Sequence, residues 1–216
     1  MGKVTDSLLS GTRGRTGRIV VSNIQGNEIS RVRPIKRSRP LTPKQQLVTA
    51  RFNAAIQFIQ GYKTLVKSYY GKRKGLKSPY NIAMSNLIKA MPLDTENLLF
   101  TINYQSIMFT KGNLPKPQVT AFSSVAPLTI ELNWNNNALT QEQANDQLYV
   151  MLTEVDSETN TTSVIQTMAK RSDESYEIEL LPNYAGVDVH LWISFINPTL
   201  QDASNSISLG TLTITP

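Results

Sequence analysis

Few residues in this chain could do chemistry. The single histidine, His190, lies in the apolar run "VDVHLWISFI", where a strand histidine far more often packs or hydrogen-bonds than reacts. No Gly-x-Ser-x-Gly turn accompanies it to supply a nucleophile. Glu177 and Glu179, two apart in "SYEIELL", leave a strand on the same face. Acid–base work would need a pocket that drives their pKa values apart, so a solvated strand face is the plainer reading. "GTRGRTG" (11–17) has glycines but lacks the strand–helix setting of a phosphate loop. Asn160-Thr161-Thr162 matches a glycosylation acceptor and reads here as a hairpin loop. The absence of cysteine removes disulfides, thiolate metal sites and thiol nucleophiles together. Catalytic, cofactor-binding and metal residues are therefore expected to be none, and the chain is read as not an enzyme.

The cations carry the stronger signal. Residues 1–80 hold seventeen Lys and Arg against Asp6 and Glu28, a net of +15. Residues 81–216 hold five cations against fourteen acids, a net of −9. No acid occurs between Glu28 and Asp94. Within "RVRPIKRSRP", Arg31, Arg33, Lys36, Arg37 and Arg39 are interleaved with prolines that hold the backbone extended. Lys44 follows, and "GKRKGLKS" adds Lys72, Arg73, Lys74 and Lys77. Extended cations suit a phosphate backbone, an acidic protein surface through guanidinium–carboxylate forks, or plain solvent. All three readings stay open on charge alone.

These residues must be held by something. "RIVVSNI", "QGN" and "EISRVRP" predict a short hairpin turning at Gly26-Asn27, preceded by a flexible arm over residues 1–17. Two strands alone are marginal in water, so the hairpin needs a surface to lie on. In "LTPKQQ", Thr42 is an N-cap, Pro43 fits the first helical position and Gln45 completes a capping box. Val48, Phe52, Ala55, Ile56, Ile59, Tyr62, Val66 and Tyr69 then form one apolar stripe, with a kink expected at Gly61 and an end at Gly71. Opposite lie Gln46, Thr49, Asn53, Gln57, Gln60, Thr64 and Ser68, a polar face without charge. A helix built for DNA would put cations there; the amide face fits contact with protein better and is also compatible with plain solvent. A second helix starts at Ser78-Pro79 and closes a helical hairpin.

After Pro117 the grammar changes. "QVTAFSS", "PLTIELNW", "DQLYVMLTEV", "TSVIQTM", "SYEIELL", "VDVHLWISFI" and "SISLGTLTI" are seven runs with strand composition, the pattern of an immunoglobulin-like sandwich. Trp134 and Trp192 are the expected anchors of its core, and without a cysteine pair it is of the fibronectin type III-like kind. The fold class is thus α+β: a basic arm with a β-hairpin over 1–40, a helical hairpin over 41–92, a connecting segment over 93–117 and a β-sandwich over 118–216. The opening residues contain no long apolar run, so synthesis in the cytoplasm is expected, with a virion or extracellular assembly as an allowed destination; no membrane insertion is expected.

Gly-Arg-Ile-Val-Val (17–21), Arg-Val-Arg-Pro (31–34), Leu-Thr-Pro-Lys-Gln-Gln (41–46), Arg51-Phe52, "SIMFTKGNLP" (106–115), Trp134 and "SNSISLGTLTI" (204–214) resemble an uncharacterised family common in bacteroidete genomes. The resemblance spans nearly the whole chain and implies shared architecture, with no catalytic residue to carry over. The layout also parallels phage and mobile-element structural proteins in form. The expected function is a non-catalytic structural or assembly subunit of a phage-like particle or other multi-subunit complex, with protein partners or self-assembly. The alternatives are a nucleic-acid-binding accessory protein and an adhesin-like surface module.

Overall fold

The computed structural model describes residues 2–6, 8–24, 26–35, 39–155 and 162–216. Lys36, Arg37 and the first two residues of the Asn160 sequon lie outside them. The chain divides into two units, one up to Thr42 and one from Pro43 to Pro216.

The N-terminal unit is a four-stranded antiparallel sheet. Its strands are β1 (Gly2–Lys3), β2 (Gly14–Thr16), β3 (Ile19–Ile24) and β4 (Asn27–Val32), in the order β1-β4-β3-β2. The hairpin expected from sequence is present, one residue earlier than its turn signal: Ile24 pairs with Asn27, and Gly26 takes the left-handed φ of +83°. Asn23 Oδ1 accepts the Gly26 N–H at 2.8 Å and tightens the turn. The opening residues, expected to be flexible, instead supply β1 and β2. Glu28 explains part of this, because its two carboxylate oxygens accept the Gly11 N–H at 2.9 and 3.1 Å and draw the preceding loop back onto the sheet.

The second unit contains all seven expected sandwich strands. β7 (Val119–Ser123), β8 (Thr129–Trp134) and β11 (Ser175–Glu179) form a sheet in the order β11-β8-β7. β9 (Gln147–Glu154), β10 (Thr162–Lys170), β12 (Asp188–Asn197) and β14 (Ile207–Thr213) form the facing sheet, in which β9 and β14 flank β12, β10 lies beyond β9, and the two-residue β13 (Asp202–Ala203) pairs with the C-terminal end of β12. Strands one, two and five thus face strands three, four, six and seven, as in immunoglobulin-like sandwiches of the fibronectin type III kind. Ile130, Leu132 and Trp134 meet Leu148, Val150, Leu191, Ile193 and Phe195 between the sheets.

The larger sheet is buried on both faces, which departs from the usual one-sided burial of an antiparallel sheet. Every residue of β12 from Val189 to Asn197 is buried. Its odd positions fill the sandwich, whereas Trp192 and Ile196 point the other way, beside Tyr149 and Met151 of β9. The helices cover that outer face. α1 (Pro43–Gln60), α2 (Lys63–Tyr69) and α3 (Pro79–Lys89) place Phe58, Ile59, Tyr62, Val66 and Leu87 in a second core around Trp192. The two tryptophans therefore anchor different cores, a correction to the expectation that both sit between the sheets. Within the second unit, residues 43–92, 93–117 and 118–216 share this packing.

Local chemistry explains the helix ends. Ser78 caps α3 by accepting the Asn81 N–H at 3.2 Å, with Pro79 in the first turn. α1 ends just before Gly61, where only glycine fits because a Cβ would collide with the carbonyl and hydroxyl oxygens of Thr162, whose Oγ1 donates to the Phe58 carbonyl at 2.7 Å. The apolar stripe is rotated from its expected centre. Leu47, Ala54 and Phe58 are buried with Ala55 and Ile59, while Val48 and Phe52 remain 47% and 46% exposed.

The 93–117 segment has elements of its own. β5 (Leu93–Asp94) and β6 (Leu99–Phe100) form a small hairpin, and a single 3-10 turn spans Tyr104–Ser106. Beyond it, Ile107, Phe109 and Thr110 are buried. The "SIMFTKGNLP" and "SNSISLGTLTI" motifs lie side by side there: Phe109 N donates to Ser206 Oγ at 3.0 Å, and Thr110 Oγ1 lies 2.6 Å from Ser194 Oγ and 2.9 Å from the Ser204 carbonyl. Gly112 is needed in this seam because a Cβ would strike the Ala203 carbonyl. Their pairing is architectural. A four-residue helix, α4 (Gln141–Ala144), capped by Thr140, precedes β9.

Candidate interaction surface

The described cations of the candidate set, Arg31, Arg33, Arg39, Lys44, Lys72, Arg73, Lys74 and Lys77, are all exposed. They divide between the units: Arg31 lies on β4, Arg33 and Arg39 follow it, and the others belong to the second unit. Lys74 and Lys77 close a tight turn on each other, with backbone hydrogen bonds of 3.1 and 3.0 Å and Gly75 at φ +57°. Among the described residues the one ion pair is Arg171–Asp146, so none of these cations is neutralised by a carboxylate at contact distance. Gln46, Thr49, Asn53, Gln57, Gln60 and Thr64 are exposed on α1 and α2. Thr49 turns its hydroxyl back to the Gln45 carbonyl at 2.9 Å, which leaves that face to the amides. Beside it a groove of about 580 Å³ runs between α1 and α3, floored by Phe52, Ile56, Met84 and Ile88.

Burial perturbs several titratable groups. His190 is buried under Tyr104 and Trp192, with ring centroids 5.2 and 4.5 Å away, and its nitrogens meet Thr211 Oγ1 at 3.2 Å and Ser208 Oγ at 2.7 Å. Loss of water around the ring lowers its pKa to about 4, so it is neutral at physiological pH. Glu177 and Glu179 are exposed on β11, as a solvated strand face requires. Among the described residues no cluster of His, Asp and Glu has the arrangement of a metal site.

Sequence reasoning missed the Arg171–Asp146 pair. Both side chains are fully buried, with Nη2–Oδ2 at 3.0 Å and Nε–Oδ2 at 3.3 Å. Arg171 also donates to Asn137 Oδ1 at 2.6 Å and the Pro115 carbonyl at 3.1 Å, and its guanidinium lies 4.1 Å from the centroid of the Phe195 ring. Asn197 donates to the remaining Asp146 oxygen at 2.9 Å. Burial pushes the Asp146 carboxyl up and the Arg171 guanidinium down, and their mutual hydrogen bonds oppose both shifts. Each buried side-chain nitrogen and oxygen of the pair has a hydrogen-bond partner, so the pair ties Pro115, Asn137 and Asn197 together at one end of the sandwich. The sequence signal was faint: an Asp before an apolar strand and an Arg after another.

Residues 11–210 match the family described as "Family of unknown function (DUF6266)", and the chain belongs to it. No curated protein matches the chain. Similar solved structures include the fn3 domain of the human collagen alpha-1(XX) chain, at 13% identity over 49% of this chain and 89% of that one, with a TM-score of 0.35. The fn3 domain of human contactin 1 is 13% identical over 50% and 85%, with a TM-score of 0.33. The FN5 domain of Drosophila Lar is 12% identical over 48% and 99%, with a TM-score of 0.32.

Proposed function

We propose that this member of a family of unknown function is a non-catalytic interaction subunit of a larger protein assembly. In it residues 43–216 are the rigid body and residues 2–42 the docking element. One observation carries the reading: among the described residues up to Thr42, Val21 alone is buried. A sheet of about forty residues with one buried side chain and no disulfide lacks the core that independent stability needs. Ile24 at 46%, Val32 at 73% and Ile35 at 92% exposure leave apolar surface for a partner to cover. The second unit has two filled cores and needs no such help. The assembly we have in mind is a phage-like particle or another multi-subunit complex, loaded from the cytoplasm.

The exposed cations also favour a second reading, a nucleic-acid accessory protein using Arg31 to Lys44 and the Lys72 to Lys77 turn. The neutral face of α1 supports the protein partner instead. Light scattering on the full chain and on residues 43–216 tests the proposal. The expected result is mass above monomer for the full chain alone, with amides of β3 and β4 protected from exchange only in the associated state. A full chain that stays monomeric at high concentration, with those amides exchanging freely in every assembly tried, refutes it. Steeply salt-dependent affinity for DNA or RNA without self-association would select the second reading.

A further inference from the structure

The two faces of the N-terminal sheet are unlike. Val21 and Glu28 share the face onto which the Gly11 loop folds. On the other face the strand pairing sets Arg31, Val20 and Arg15 in one row across β4, β3 and β2. The next row is Lys3, Ile29 and Ser22 across β1, β4 and β3, and Ile24 follows on β3. Val20 and Ile29 are half-buried, while Arg15, Arg31 and Lys3 are exposed. Among the described strand residues this face is an apolar strip edged by cations, with no acid on it.

The smaller sandwich sheet presents the opposite pattern. One face fills the core; the other carries Glu177, Glu131 and Ser123 in one row across β11, β8 and β7, with Glu179 beside Thr129 in the next. Glu131 and Glu177 are directly opposed, an arrangement that costs stability in an isolated sheet. No cation shares this face: Asn133, Ser175 and Ala121 complete it. Val125 and Leu181, 79% and 68% exposed, follow its two outer strands at the same end of the sheet. Both surfaces are antiparallel sheets with like strand spacing and of opposite charge.

We propose that the Lys3–Arg15–Arg31 face of one copy docks on the Glu131–Glu177–Glu179 face of a second copy. The inference rests on reading residues 2–42 as the docking element and names the partner as this same chain. Guanidinium groups would fork onto the opposed glutamates and remove their repulsion, while Val20, Ile24 and Ile29 lose water. One-way docking builds a chain of subunits and reciprocal docking closes a dimer.

Charge reversal in the full chain tests this. One variant carries Arg15→Glu with Arg31→Glu, the other Glu131→Arg with Glu177→Arg and Glu179→Arg, each checked by thermal melting of the second unit. Sedimentation velocity at low salt should show wild-type association weakened about tenfold or more in each variant alone. Mixing the two should restore it, because each then offers the other an opposite face. If the arginine reversals abolish association and the glutamate reversals do not, this surface is wrong while the docking role of residues 2–42 stands. If neither set matters, this proposal falls, and whether residues 43–216 alone still associate then decides the docking role of residues 2–42. A wild-type chain that stays monomeric at low salt, or in which the two faces meet only within one copy, overturns the proposal.

Discussion

Acidification should weaken the fold through His190, and the effect can be isolated. The ring is buried with Tyr104 stacked at 5.2 Å and Trp192 at 4.5 Å, and its hydrogen-bond partners, Thr211 and Ser208, are neutral. Its folded pKa is lowered to about 4, against 6.5 for the free side chain. Between these values the unfolded chain binds more protons than the folded one, so stability rises with pH across the window. The contribution is complete above the unfolded pKa and is lost as pH falls toward the folded one. The lowered pKa corresponds to a loss on the order of 2 kcal/mol at most between about pH 7.5 and about pH 4.5. Urea unfolding of the wild type and of His190→Gln at both pH values measures it. Other acidic titrations are common to both proteins, so the difference between their pH dependences reports the histidine. An unchanged difference between them at the two pH values would mean that the imidazole is hydrated or charged in the fold, and the packing argument around Trp192 would fail with it.

Three further outcomes follow from the packing. Gly61→Ala forces a methyl into the Thr162 backbone and should cost about 1–3 kcal/mol by urea unfolding, whereas the same change at exposed Gly75 should cost less, from backbone strain alone. Arg171→Ala leaves Asp146 buried without its cation and should destabilise the second unit by about 3–5 kcal/mol, with Arg171→Met milder when paired with Asp146→Leu. Glu177→Lys replaces a like-charge pair with an attractive one and should stabilise the second unit by about 0.2–1 kcal/mol in calorimetry, while weakening association if the glutamate face is a docking surface.

Much of the architecture was legible in the linear order of residues. The seven sandwich strands, the start of α1 at Pro43, its break near Gly61 and the cap of α3 at Ser78 are written in local signals, because period-two alternation, Pro at a first turn and Ser before it act within a few residues. The segregation of charge is likewise a property of the chain. His190 packs against Tyr104 and Trp192 and hydrogen-bonds Thr211 and Ser208, in keeping with its place in an apolar strand. The exposed cations and the amide face of α1 were placed by the same local rules, though exposure says nothing of what meets them.

Other features exist only in three dimensions. Alternation along β12 states that both faces are apolar, but not that one covers a second sheet and the other a layer of helices; Trp192 could be assigned to its core only when α1 was seen beneath it. The 106–115 motif shows no period because its backbone and side chains bond to partners drawn from β12, β13 and the 204–206 segment that follows it, about ninety residues away in sequence. Arg171 and Asp146 look like surface charges until the chain brings Asn137, Pro115 and Asn197 around them. The opposed glutamates on β8 and β11 depend on strand register, and so does the row Arg31–Val20–Arg15. Short-range sterics and hydrogen bonding made the elements readable one by one. Which faces they share, and which they leave open for another molecule, was decided by contacts between residues far apart in the chain.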